Sequence, residues 1–265
     1  MTDRTNEELL ALALQLSRSD PSCETQERWD AVTALHARPD EAVAKAALGW
    51  CESRDMVERT LGADILGQLG YGDAAFPFRA VSLPVLEKLL RDPEAQVAKA
   101  ALIALHHLGA HESLSKIIAL ADHESADLRQ GVAFALLSQS DPAAVRTLIA
   151  LSSDSDSQVR DWATFGLGSQ IDDDTPEIRD ALADRARDPD PATRAEALSG
   201  LVKRRDPRAL EALGSALRSD FVGTLEVEAA RDLGDPALLP DLESLRSWWD
   251  VDPRLLEEAI ERCRA

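Results

Sequence analysis

The sequence predicts an all-α fold, a right-handed α-α superhelix of about eight two-helix repeats running as one domain over residues 1–265. Three observations predict it. Ala and Leu dominate while aromatics make up 4%, a profile of helix formers rather than of the branched and aromatic residues that strands prefer. A column can be drawn through Arg28, Arg59, Ala98, Arg129, Arg160, Arg194, Glu226 and, more loosely, Glu257, at steps of 31, 39, 31, 31, 34, 32 and 31 residues. Seven residues beyond each of the first seven stands a leucine: Leu35, Leu66, Leu105, Leu136, Leu167, Leu201 and Leu233.

The column marks the second helix of each repeat. Three residues after it come compact residues, Ala31, Gly62, Ala101, Val132, Ala163, Ala197 and Ala229. At 3.6 residues per turn these share one helix side with the leucines, so a neighbouring helix approaches over the small residue and the leucine fills the groove. Along the chain, the start MTDRTNEELLALALQL lacks the basic region and long apolar core of a signal peptide. The 39-residue step holds an insertion, residues 70–82, whose Phe76, Pro77 and Phe78 either pack on adjacent helices or form a binding loop. First helices follow at Leu83–Leu90, Leu114–Ala121 and Ala143–Leu151. Asp-Pro joints such as RDPEAQ (Arg91–Gln96) and RDPDPAT (Arg187–Thr193) stop one helix and start the next. GLGSQ (Gly166–Gln170) reads as a helix end capped by Gly168, and DDDTPE (Asp172–Glu177) as an N-capping turn. The last repeat, about 236–265, needs a cover for its free apolar edge. Trp248 and Trp249 supply it, with EEAIERCR outermost; a homodimer contact through the same edge is the alternative.

The run from Asp154 to Arg160 with Ala163, Leu167 and Gly168, and that from Asp188 to Arg194 with Ala197 and Leu201, resemble the HEAT-like repeat in the short bacterial form of phycobilisome lyases. The resemblance spans roughly residues 7–265 and implies the solenoid fold. It also implies an Asp–Arg ladder pairing Asp154 with Arg160 and Asp188 with Arg194, broken where Asp92 faces Ala98. It leaves function open, since such repeats serve scaffolds, lyases and enzymes alike.

Second helices of this family usually line the concave face. Their outward positions gather Ile103, Phe134, Trp162 and Phe165 into an apolar strip, rimmed by Lys99, His107, Gln130 and Asp161. Apolar strips with polar rims mark protein contacts, in which aromatics act as anchors; packing between neighbouring helices is the competing reading. The expected function is a non-enzymatic interaction module without cofactor or metal. The alternatives are a bilin-lyase-like subunit, an oxidoreductase like deoxyhypusine hydroxylase or, less favoured, a DNA glycosylase. The hydroxylase's His-Glu pairs follow the reference position, and here those slots hold Lys99-Ala100, Gln130-Gly131, Asp161-Trp162 and Ala195-Glu196. His111-Glu112 and His123-Glu124 lie instead beside a first helix. With 48 acidic against 29 basic residues and a net charge of −19, the surface repels phosphate backbones and favours a basic protein or peptide partner. Cys23, Cys51 and Cys263 are scattered and odd in number, which suits a reducing cytoplasm, and no apolar run is long enough to span a bilayer.

Overall fold

The structure, a computed structural model, describes residues 4–20, 25–70 and 76–264. Cys23 and residues 71–75 of the insertion lie outside the described residues. The described chain contains sixteen α-helices and no strand, and it divides after Leu136 into two compact units of four helix pairs each.

The first unit comprises α1 (Asn6–Ser19), α2 (Gln26–His36), α3 (Glu41–Cys51), α4 (Met56–Gln68), α5 (Arg79–Leu89), α6 (Ala95–His107), α7 (Leu114–Ile118) and α8 (Ala126–Ala135). The second comprises α9 (Pro142–Leu151), α10 (Ser157–Phe165), α11 (Pro176–Arg185), α12 (Pro191–Lys203), α13 (Arg208–Leu217), α14 (Thr224–Leu233), α15 (Leu239–Leu245) and α16 (Pro253–Arg264). In each unit the even-numbered helices stack on one another and the odd-numbered ones pack against them from outside. The repeat column falls on the even helices. Their leucines from Leu35 to Leu201 are buried, while Leu233 on α14 keeps some exposure. The small residues are obligatory where helices touch: a Cβ on Gly62 would lie 2.6 Å from the Ala47 carbonyl oxygen.

Helix starts follow the turn chemistry of the sequence. Asp40, Asp55, Asp141, Asp156 and Asp190 each accept a hydrogen bond from a first-turn N–H, a contribution of about 1 kcal/mol apiece. DDDTPE behaves as expected, with Thr175 capping α11. In the insertion, the last residues from Arg79 onward already belong to α5, and Phe76 and Phe78 are half-buried. The Arg79 guanidinium reaches the carbonyls of Leu108 (3.0 Å) and Gly109 (3.4 Å), closing the C-terminal end of α6.

The Asp–Arg ladder runs in a different register from the one the repeat pattern suggested. Arg160 does not bond the Asp154 carboxylate; its Nε and Nη2 grip Asp188 of the next repeat at 2.9 and 3.0 Å, while Nη1 takes the Asp154 carbonyl at 2.9 Å. Arg194 likewise reaches only the carbonyl of Asp188. Nor is Asp92 a break in the ladder. Arg59 of the preceding repeat binds it through Nε and Nη2 at 2.7 and 2.9 Å, and spends Nη1 on the Ser53 and Arg54 carbonyls. Arg59 and Arg160 therefore each close their own turn with one nitrogen and clamp the following repeat with two, a bidentate geometry that lysine could not copy.

Gly168 is not a left-handed cap. Residues Gly166–Gln170 form one π-helical turn, and a Cβ on Gly168 would meet the Glu196 carbonyl oxygen at 2.8 Å; one on Gly200 would meet the Gly168 Cα at 2.7 Å. The two glycines let the turn lie directly on α12. Arg204, nearly buried, donates to the carbonyls of Leu167 (2.7 Å), Asp173 (2.8 Å), Ile171 and Gly168, and so holds the wide turn and the extended segment after it. At the C-terminal edge the two tryptophans part ways. Trp249 is 4% exposed and donates its indole N–H to the Val222 carbonyl at 2.7 Å, whereas Trp248 is 48% exposed. No helix among the described residues is long and apolar enough to cross a membrane.

Candidate functional site

The eight residues of the expected strip fall in both units, and each group is described within its own unit. In the first, Lys99 and Ile103 stand on α6 with His107 at its end, and Gln130 and Phe134 on α8. All five are half-buried rather than open. Lys99 Nζ donates to Gln130 Oε1 at 2.7 Å and reaches Asp127 at 3.4 Å. Both histidines at the end of α6 meet the Phe134 ring edge-on, His106 with a centroid separation of 4.9 Å and His107 of 5.9 Å. Edge-to-face contacts of this kind favour aromatic packing. Burial pushes the His107 imidazole down to about 4, with the charges of His106 and His36 acting in the same direction. This group is a tightly knit, mostly neutral patch.

In the second unit, Asp161, Trp162 and Phe165 lie on α10 and are likewise half-buried. The Trp162 and Phe165 rings meet edge-on at 5.9 Å. Beside them α12 brings a residue that the sequence reading did not single out, Glu196, whose carboxylate accepts from Ser169 Oγ at 2.9 Å. Burial raises the Glu196 carboxyl above its usual range, the Ser169 hydrogen bond opposes this, and the Asp161 charge adds to it. Asp161 is raised in turn by burial and by Asp190. Two carboxylates that share a partly desolvated face and repel each other offer a good place for a positive charge. Glu196 was legible only as the second residue after the column in its repeat, the place Trp162 occupies one repeat earlier.

His123 and His111, of the two His-Glu pairs beside a first helix, take structural places. His123 Nδ1 accepts the Ser125 N–H at 3.1 Å at the start of α8, and His111 opens a short 3-10 turn, exposed to solvent. Among the described residues no three His, Cys, Asp or Glu side chains converge as metal ligands would. Cys51 and Cys263 are buried, and burial foremost pushes the Cys51 thiol up to about 12, an unreactive state.

Comparison with known proteins agrees with this architecture. Protein YibA of Escherichia coli K12 is 27% identical over 248 residues, covering 89% of this chain and 85% of YibA. The X-ray structure of the E. coli YibA protein superposes with a TM-score of 0.71 at 26% identity, over 98% of this chain and 93% of that one. An engineered protein of known crystal structure shares the fold at a TM-score of 0.56 and 16% identity, over 96% of this chain and 82% of its own. The family model for HEAT repeats matches residues 83–168 and 145–234, together more than half of the chain. With its repeat column, its stacked second helices and this match, the chain belongs to the HEAT repeat family.

Proposed function

We propose that the chain is a non-enzymatic scaffold that binds a protein or peptide partner carrying basic side chains on the outward face of its second helices. The observation that carries this reading is the arrangement on α10 and α12: a half-exposed Trp162–Phe165 ring pair beside Asp161 and Glu196, both carboxyls destabilised as anions by burial and by like charge. A lysine or arginine laid across it gains a ring face and relieves the repulsion. In the first unit Ile103, Phe134, His107, Lys99 and Gln130 offer a second, largely neutral contact patch of their own. The overall charge of −19 speeds encounter with a basic partner.

The test is affinity capture with the full chain, wild type against Trp162→Ala/Phe165→Ala, after circular dichroism has matched the two folds. A protein retained by the wild type alone, and rebound when purified, supports the reading and names the partner. Equal capture by both would assign the two rings to packing.

A further inference from the structure

Among the described residues four large hydrophobic side chains are strongly exposed, and three of them lie on two neighbouring loops of the second unit: Phe221 (61%), Trp248 (48%) and Val251 (63%). The loops are pinned together. Trp249 between them is buried and its indole binds the Val222 carbonyl. Ser219 Oγ donates to the Phe221 carbonyl at 2.6 Å, the Gly223 N–H to Glu226, and the Leu255 N–H to Asp252. The apolar side chains are thus presented by a fixed platform, which lowers the ordering cost of binding.

The charges around the platform are one-sided. The nearby cations are engaged within the chain, Arg218 with Asp241, Arg246 with Glu257 and Arg254 with Glu258. Asp220 and Asp250, which alternate with the apolar residues in SDFV and WWDVD, are exposed and have no ion-pair partner among the described residues. We infer that the Phe221–Trp248–Val251 platform is a docking surface for an amphipathic helix of a protein partner with Lys or Arg beside its apolar face. The charge pattern selects this occupant over a second copy of the chain. In a two-fold dimer the same patch faces itself, which would set Asp220 and Asp250 of one copy against those of the other. A cationic helix meets them with opposite charge and lays a cation on Trp248.

Two synthetic amphipathic helices with the same leucine face, one with Lys and Arg and the other with Glu on its polar face, serve as probes in fluorescence anisotropy. The full chain is compared with Trp248→Ala, with Asp220→Asn/Asp250→Asn and with Trp162→Ala/Phe165→Ala. The expected result is saturable binding of the cationic helix alone. Trp248→Ala should weaken it roughly tenfold or more, the Asn pair should weaken it several-fold with a shallower salt dependence, and the α10 variant, which removes the separate ring pair, should lose less affinity than Trp248→Ala. Failure to bind, equal binding of both helices, or unchanged affinity in Trp248→Ala overturns the proposal. Loss of affinity only in the α10 variant also overturns it and moves the contact to the Trp162 face. Sedimentation of the wild type as a dimer that Trp248→Ala dissociates would instead give the platform to a second copy.

Discussion

Asp161 and Glu196 are each harder to ionise in the folded chain than in water, foremost because burial disfavours the charged form. A carboxyl raised in the folded state binds its proton more tightly there than in the unfolded chain. The folded protein therefore loses stability from this pair as pH rises through the normal carboxylate range to the raised values. Asp161→Asn should raise the urea midpoint at pH 7, with the gain vanishing at about pH 2–3, below the ordinary 3.8, where the acid is protonated in both states; an equal change at both pH values would contradict the burial argument. His107 acts in the opposite sense. Its folded value near 4 lies below the ordinary 6.5, so stability is lost as pH falls between those values. A His107→Gln chain should accordingly unfold less readily in mild acid than wild type, as measured by thermal melts at pH 7 and pH 5. Sterics dominate elsewhere at this scale. Gly168→Ala drives a methyl into the Glu196 carbonyl and should cost about 2 kcal/mol by urea unfolding, within the range for overpacking.

At the scale of the helix, the π turn at Gly166–Gln170 and its guanidinium clamp form one device. The wide turn leaves carbonyls without the usual helical donors, and the Arg204 side chain supplies them. Arg204→Ala should cost about 3 kcal/mol or more, since several buried acceptors lose their donor at once, and hydrogen exchange should quicken first over residues 166–173. The helices themselves could be read from the chain. The leucine and small-residue columns state a period and a face, and the Asp caps state the starts. What spacing could not state was partnership. Asp154 is six residues from Arg160 and Asp188 is 28, and both fit a ladder on paper; only the stacking of α10 on α12 shows which carboxylate the guanidinium faces. The same limit hid Glu196, which reaches Ser169 from the neighbouring repeat. Trp248 and Trp249 look equivalent as letters, and the loop that presents the Val222 carbonyl decides which of them is buried. Gly168 looked like a cap because a glycine near a helix end usually is one; its role as a contact depends on Gly200, 32 residues away in sequence.

For the whole molecule, a net charge of −19 on 265 residues opposes compaction. The partly buried Arg59–Asp92 and Arg160–Asp188 pairs are screened less than the surface carboxylates. Raising NaCl from low to physiological concentration should therefore raise the melting temperature, and a fall would mean that exposed ion pairs outweigh the general repulsion. The arginine clamps also set rules for how such a chain can grow. Each clamp needs a giver in one repeat and a receiver in the next, so a duplicated segment fits without loss only when it brings both. The repeat of α5 and α6 receives through Asp92 but carries Ala98 where a giver would stand. Copied in tandem, it would place a second Asp92 behind an alanine, a buried carboxylate with no guanidinium to meet it. The repeat of α11 and α12 brings both parts, the receiver Asp188 and, in Arg194, a guanidinium at the giver position. Lengthening by duplication is thus open at one repeat and penalised at the other, a grammar of expansion written in single side chains.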